Sequence, residues 1–529
     1  MKRIIIITII LFVATIAMTV VYFKTLNRTG PHTREVMLAI PDNAAFILEF
    51  NNEKGFYDMF TNSQLFTAIT GKQTITDLDI LRKQLLQNPQ LEQFFTGQNI
   101  FVSLHPLTNS TVDILLTTIA SAKFKATAFD DLAKQKNTGL LITPFTIAGK
   151  KAYIIYSDTL KKRFYLINKE DGIFSGSFSK DLITQSAQYI AKKRQEAFVL
   201  LPDQQNANAL ANLYVNYSQL SPLFEQLFKN KNTDIFKSFR SLPALAVLSL
   251  NFKSDALMFN GFSHIRDNEP QGYLNLFAAQ QPVINELKDI FPSTTAYSIS
   301  FGISDPQKFK TDLSAYQQKA GMQHEKDSLF NKVKTETGTN LINEFNRVLS
   351  NEFAVVTTRY QEKLAIIALK DGSKLKPIMY NLATMTNDNI GQLNYNKLPF
   401  FLLGDAFSLF NHPWFMIIDN YLILANSATE LNSYYDSYIN RKFQSKLEQY
   451  HRFDNLLAER SNICWYINVK NAQPFLKRDL NDGFYKAYED NNPGWKNFYA
   501  ASWQLMAANK KFYTSYCMQL NQPDSTIVK

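Results

Sequence analysis

Ile40-Pro41-Asp42-Asn43-Ala44-Ala45-Phe46-Ile47-Leu48-Glu49-Phe50 recurs in outline as Phe291-Pro292-Ser293-Thr294-Thr295-Ala296-Tyr297-Ser298-Ile299-Ser300-Phe301, with the two prolines 251 residues apart. In each stretch a proline turn opens an alternating strand, and a polar turn and a helical segment follow. The register holds downstream. Asn99-Ile100-Phe101-Val102-Ser103 matches Asn351-Glu352-Phe353-Ala354-Val355, and both lead to a second strand, over 112–119 and 363–369. Asp171-Gly172 and Asp419-Asn420 are two-residue hairpin turns, each feeding a strand and then a helix opened by serine. Tyr214-Val215-Asn216-Tyr217 pairs with Tyr466-Ile467-Asn468-Val469 at an offset of 252. Each half closes on paired strands, 244–252 with 256–265 and 501–507 with 511–520. Blocks in the same order at a near-constant offset predict an internal duplication. Strand pairs joined by short turns favour an antiparallel arrangement over a doubly wound parallel sheet.

Outside these halves the decisive segment is residues 4–23, an uncharged run behind Lys2 and Arg3. Twenty helical residues span roughly 30 Å, the thickness of a bilayer's hydrocarbon core. The run exceeds a usual signal-peptide core, which predicts an uncleaved anchor with the body exported; a cleaved signal is the alternative. The expected fold is therefore α+β: an N-terminal transmembrane helix followed by two tandem copies of a mixed, largely antiparallel strand–helix domain. The expected boundaries are an anchor at 1–24, a linker at 25–39, a first repeat at 40–265 and a connecting segment at 266–290. A second repeat at 291–521 and a tail at 522–529 complete the chain. Within the connector, 273–288 is expected to be helical.

Composition narrows the function classes. The chain carries 56 basic and 46 acidic residues among 529, and the excess is diluted along its length. The basic runs Lys161-Lys162-Arg163 and Lys192-Lys193-Arg194 are short, so the dense stripe that nucleic acid demands is absent. The 42 Phe and 25 Tyr supply large aromatic cores.

The opening Ile-Pro-Asp-Asn-Ala-Ala strand, with Asp419-Asn420-Tyr421-Leu422-Ile423-Leu424-Ala425-Asn426-Ser427 downstream, resembles an uncharacterised family of bacterial membrane-anchored exported envelope proteins. The resemblance implies an inner-membrane, single-pass setting with the body in the periplasm, and supplies no catalytic residues.

No catalytic set emerges from the residues. The six histidines, His32, His105, His264, His324, His412 and His451, lack zinc spacings, so no metal or other cofactor is expected. Ser177-Phe178-Ser179-Lys180 matches Ser-x-x-Lys, but the Lys-Thr-Gly that this acyl-transfer chemistry requires does not occur. Asp479-Leu480-Asn481-Asp482-Gly483 places its glycine one position early for a calcium loop. Cys464 and Cys517 fall on the more polar faces of their strands. Direct strand pairing would permit a disulfide; two free thiols are the alternative. The expected function is non-enzymatic: a membrane-tethered envelope protein, its membrane contact through residues 4–23, that binds or scaffolds an envelope protein partner. Carriage of a lipid or other apolar ligand between the two repeats is the alternative, and an envelope hydrolase ranks third. No nucleic-acid partner is expected.

Overall fold

The computed structural model describes residues 33–107, 111–125, 127–134, 139–169, 172–189, 209–229, 242, 244–266, 272–491 and 494–521. Strands are numbered along the chain. Ten from its first half lie side by side in the order β4 (Leu140–Ile147), β5 (Lys150–Ser157), β6 (Arg163–Asn168), β7 (Ile173–Ser177), β3 (Val112–Ile119), β2 (Asn99–Pro106), β1 (Phe46–Asn51), β8 (Ala211–Asn216), β9 (Ala244–Phe252) and β10 (Ala256–Ile265). Ten more continue from β10: β22 (Lys511–Leu520), β21 (Phe498–Ala508), β20 (Ile463–Asn468), β12 (Thr295–Gly302), β13 (Leu349–Thr358), β14 (Lys363–Leu369), β18 (Tyr421–Ala425), β17 (Trp414–Ile418), β16 (Ile390–Leu393) and β15 (Ala383–Met385). Every pairing is antiparallel. A separate two-residue pair joins β11 (Val283–Ile284) to β19 (Arg460–Ser461).

This architecture corrects the expected fold class. The two halves are fused into one 20-stranded antiparallel sheet with helices, the seam being β10 against β22 from Ala256↔Gln519 to Ser263↔Phe512. Among the described residues no helix is long and apolar enough to cross a membrane, and the helix expected over residues 4–23 lies outside them. Fusion follows from edge chemistry. A last strand as apolar as β10 leaves a row of unpaired N–H and C=O groups, and the equally long β22 satisfies them. Across the seam Ser263 Oγ lies 2.7 Å from Thr514 Oγ1 and 3.1 Å from the Tyr217 hydroxyl, which accepts from Trp503 Nε1 at 3.1 Å. The continuous helix expected over 273–288 is also absent. The chain makes 3₁₀ turns at Tyr273–Ala279 and Leu287–Ile290 with β11 between them, because Pro282 has no N–H to donate.

Helices cover both faces of the sheet. On one face, Thr33–Ala39 packs Val36 and Met37 onto Ile47, Phe101 and Tyr214, and Ala428–Ile439 packs Leu431 and Tyr434 onto Val356 and Ile366. The opposite face differs between the halves. In the second half the connector inserts Tyr273, Leu274 and Phe277 into the core. The Phe277 ring lies 5.1 Å from Phe301 and 5.5 Å from Phe309, and Phe353 stands 5.6 Å from Phe407. That core is solid.

Candidate functional site

Among the described residues the first half has no such plug. Alternation along β1 sends Leu48 and Phe50 to one side and Ile47 and Glu49 to the other. Pairing carries the first set across the sheet: Leu48 faces Val102 on one side and Leu213 on the other, and Val102 faces Leu116. All four are apolar, yet each is only half-buried. The cognate pairing in the second half joins Ile299, Val355 and Ala365, so the counterpart of Val102 is Val355, one residue beyond the Ala354 that the sequence register matched; there Ile299 is half-buried and Val355 and Ala365 are buried. Above the first-half floor stand three short helices, Lys54–Asn62, Gln64–Thr70 and Lys72–Leu81, and a π-turn at Arg82–Leu86. Ser63 caps the second helix by accepting from Phe66 N at 3.4 Å. Gly71, at φ 87°, turns the chain sharply into the third. Between helices and sheet lies a cleft of about 590 Å³ with an apolar lining. Phe56, Phe60 and Phe66 form one wall, with Phe60 and Phe66 centroids 4.8 Å apart. The second half contributes Trp495, whose Nε1 donates to Ile69 O at 3.0 Å.

Among the described residues, Asp79 and Arg82 are the charged groups in this lining. Arg82 Nε and Nη2 both donate to Asp79 Oδ1, at 3.1 and 2.5 Å. Lys83 Nζ lies 2.7 Å from Asp79 Oδ2. The Arg82 guanidinium sits 4.4 Å from the Tyr57 ring centroid, a cation–π contact, and the Tyr57 hydroxyl donates to Asn52 Oδ1 at 2.9 Å. Burial alone would raise the Asp79 pKa, but hydrogen bonds from Lys83 and Arg82 outweigh it and hold the carboxyl below its ordinary value. Burial pushes the Tyr57 phenol far up, against the opposing charge of Arg82. Asp79 is therefore ionised and Tyr57 neutral at physiological pH.

The residues singled out from sequence lie elsewhere. Cys464 is on β20 and Cys517 on β22, with β21 between them, and both are free. Two strand spacings are roughly 10 Å, beyond the ~7 Å Cα reach of a disulfide, so the direct pairing that a bond required is not met. Burial pushes the Cys464 thiol up to about 11 and Cys517 up to about 12, so neither is a thiolate at neutral pH. Ser177 Oγ donates to Ile114 O at 2.7 Å, and Ser179 caps the helix Lys180–Gln188. Asp479 pairs with Arg478, and Asp482 with Lys229. No group of three or more His, Cys, Asp and Glu side chains among the described residues would hold a metal ion. His105 is buried between Asn43 Oδ1 at 2.7 Å and Ser103 Oγ at 2.8 Å. Burial, then Lys169, pushes its pKa down to about 3, so the ring is neutral.

Beneath the other face of the second half, Glu352 is buried and accepts from the backbone N–H groups of Glu286 at 3.0 Å and Leu287 at 3.1 Å. Burial outweighs those bonds and lifts its pKa to about 7. With the folded value above the unfolded one, near 4.3, Glu352 contributes stability fully present below pH ~4.3 and lost as pH rises through about 7. Glu352→Gln keeps an acceptor for both N–H groups and removes the titration. Relative to wild type, the variant is expected to gain of the order of 3 kcal/mol between pH 4 and 8. Urea denaturation of both proteins across that range measures it, and parallel curves would refute it. The opposing loss from His105, which sets in as pH falls below ~6.5, is common to both proteins and cancels.

No family model matches the chain, and no curated protein does. A solved structure, crystal form III of TP0453, aligns at 10% identity and a TM-score of 0.22, covering 47% of this chain and 88% of that one. A score that low carries no argument.

Proposed function

We propose that this protein binds a lipid-like apolar ligand in the cleft of its first half. The observation that carries the reading is the contrast, among the described residues, between two sheet faces of matching topology, one filled by the connector's aromatic rings and one holding a cleft of about 590 Å³. Each half-buried Leu or Phe on the hollow floor forgoes part of the ~1.5–3 kcal/mol that full burial supplies, which a bound apolar molecule restores. The ligand site lies within the first half, where the sequence alternative set it between the repeats. Among the described residues the cleft presents no nucleophile beside a base, so binding fits it better than hydrolysis. Organic extraction of the purified full chain, read by mass spectrometry, is expected to release about one apolar species per chain. An empty extract, together with failure to take up a lipophilic fluorophore, would overturn the reading.

Scaffolding of an envelope partner ranks second. It is favoured by the outer edge of β4, the last strand on its side of the sheet among the described residues, with Leu141 64% exposed, where an extended segment of another protein would add as a strand. Both readings carry the periplasmic location as a proposal, which fractionation of the native cells tests.

A further inference from the structure

We infer that the ligand is a single-chain amphiphile with an anionic headgroup, its tail on the Leu48–Val102–Leu116 floor and its headgroup at Arg82. The inference rests on the apolar-ligand reading and adds chain number and charge to it.

Chain number follows from volume. Taking ~30 Å³ for a water- or methylene-sized group, about 590 Å³ holds roughly twenty of them. That accommodates one acyl chain of about sixteen carbons with a small headgroup, and falls short of enclosing a second chain of that length.

Charge follows from the count around Asp79. One carboxylate is shared by two cations, Arg82 on Oδ1 and Lys83 on Oδ2, so the cluster carries a net positive charge. Both fork nitrogens that Arg82 gives to Asp79 go to one oxygen rather than bidentately to two, which leaves the pair short of its strongest geometry. Exposure orders the cluster along the path from cleft to solvent: the side chains are 11% exposed at Arg82, 21% at Asp79 and 61% at Lys83. An amphiphile seated tail-first therefore has its polar end where the lining turns from apolar to charged. The Tyr57 ring backs the guanidinium at 4.4 Å and fixes its place in the wall. A carboxylate or a phosphate monoester would each complete the charge balance, and a cationic headgroup would meet two like charges. Arg82 is a positioning and selectivity residue for the ligand.

The test offers the delipidated full chain equimolar hexadecanoate, hexadecanol and hexadecylammonium, with hexadecyl phosphate and a diacyl phosphatidylglycerol in parallel arms. Bound species are counted by extraction and mass spectrometry. The expected result is one hexadecanoate or hexadecyl phosphate per chain, preferred at least about tenfold over the amine, with the diacyl lipid excluded. The two anion arms then distinguish a carboxylate from a phosphate ligand. Arg82→Gln is expected to erase the charge preference with the far-UV circular dichroism and urea midpoint of a folded chain, and Arg82→Lys is expected to restore part of the preference. Equal binding of amine and acid, equal uptake of the diacyl lipid, or a preference that survives Arg82→Gln would overturn the inference and leave apolar binding standing. No binding of any of the five would overturn both.

Discussion

Filling the cleft with Leu48→Trp and Leu116→Trp together is expected to lower ligand occupancy at least about tenfold and leave the chain as stable as wild type or more so. Both leucines are half-buried on the cleft side of the sheet, separated by Val102 in one cross-strand row. The added indoles enter space that is already empty, so the overpacking penalty of ~1–3 kcal/mol that a filled core exacts does not arise. Cavity filling instead contributes about 0.5–2 kcal/mol per site. The same change in the second half is expected to behave oppositely. Ala365 is the counterpart of Leu116 and is fully buried beneath the plugged core, so Ala365→Trp is expected to be destabilising by several kcal/mol. Urea midpoints and extracted-ligand stoichiometry for the three proteins form the measurement. Undiminished ligand in the double variant would place the bound molecule elsewhere.

The sign difference between Leu116 and Ala365 marks what the sequence could show. Alternation in Phe46-Ile47-Leu48-Glu49-Phe50 gives a strand with two apolar faces, and both faces are covered in the fold. The Asp419-Asn420 turn is legible because Asp419 takes φ 49°, a conformation that Asp and Asn tolerate and branched residues resist. The cysteine strands were also legible, but their neighbours were not: period-two patterns say which way side chains point and nothing about which strand lies alongside. The cleft escaped for a related reason. A hollow is a volume left among several helices and a sheet, and Leu48 reads the same whether the space above it is filled or empty. The connector shows this most clearly. Tyr273, Leu274 and Phe277 read as the apolar face of a helix, whereas they are the plug that fills one half and leaves the other open. Arg82 and Asp79 look in sequence like an i,i+3 surface pair. Only the fold turns them toward the cleft.

Gly261→Val is expected to unfold in two transitions, where the wild-type chain, joined by one continuous sheet, is expected to unfold in one. Gly261 lies mid-seam, paired with Leu248 on β9 and Thr514 on β22. A Cβ there would fall 2.0 Å from Val247 O and 2.9 Å from Leu248 Cα. Those are backbone atoms and cannot rotate away, so β10 must leave β9 to make room. The cost is of the order of 3–5 kcal/mol, the range of severe core disruption. It falls at the junction, which also strains the Tyr217–Ser263–Thr514 hydrogen-bond chain. Once β10 parts from β9, the core cluster that runs from Phe66 and Leu248 in the first half to Phe301 and Phe353 in the second is divided. The second half, plugged by Phe277 among Phe301, Phe309 and Phe353, is expected to melt at the higher temperature, and the first half, with its open cleft, at the lower. Calorimetry of the full chain resolves them, and added hexadecanoate is expected to move only the lower transition upward, because a ligand stabilises the unit that binds it. A single transition in Gly261→Val, shifted as a whole, would mean that contacts beyond β10 and β22, such as Trp495 on Ile69 and Lys229 on Asp482, suffice to couple the halves. A ligand shift in the upper transition would place the binding site in the wrong half.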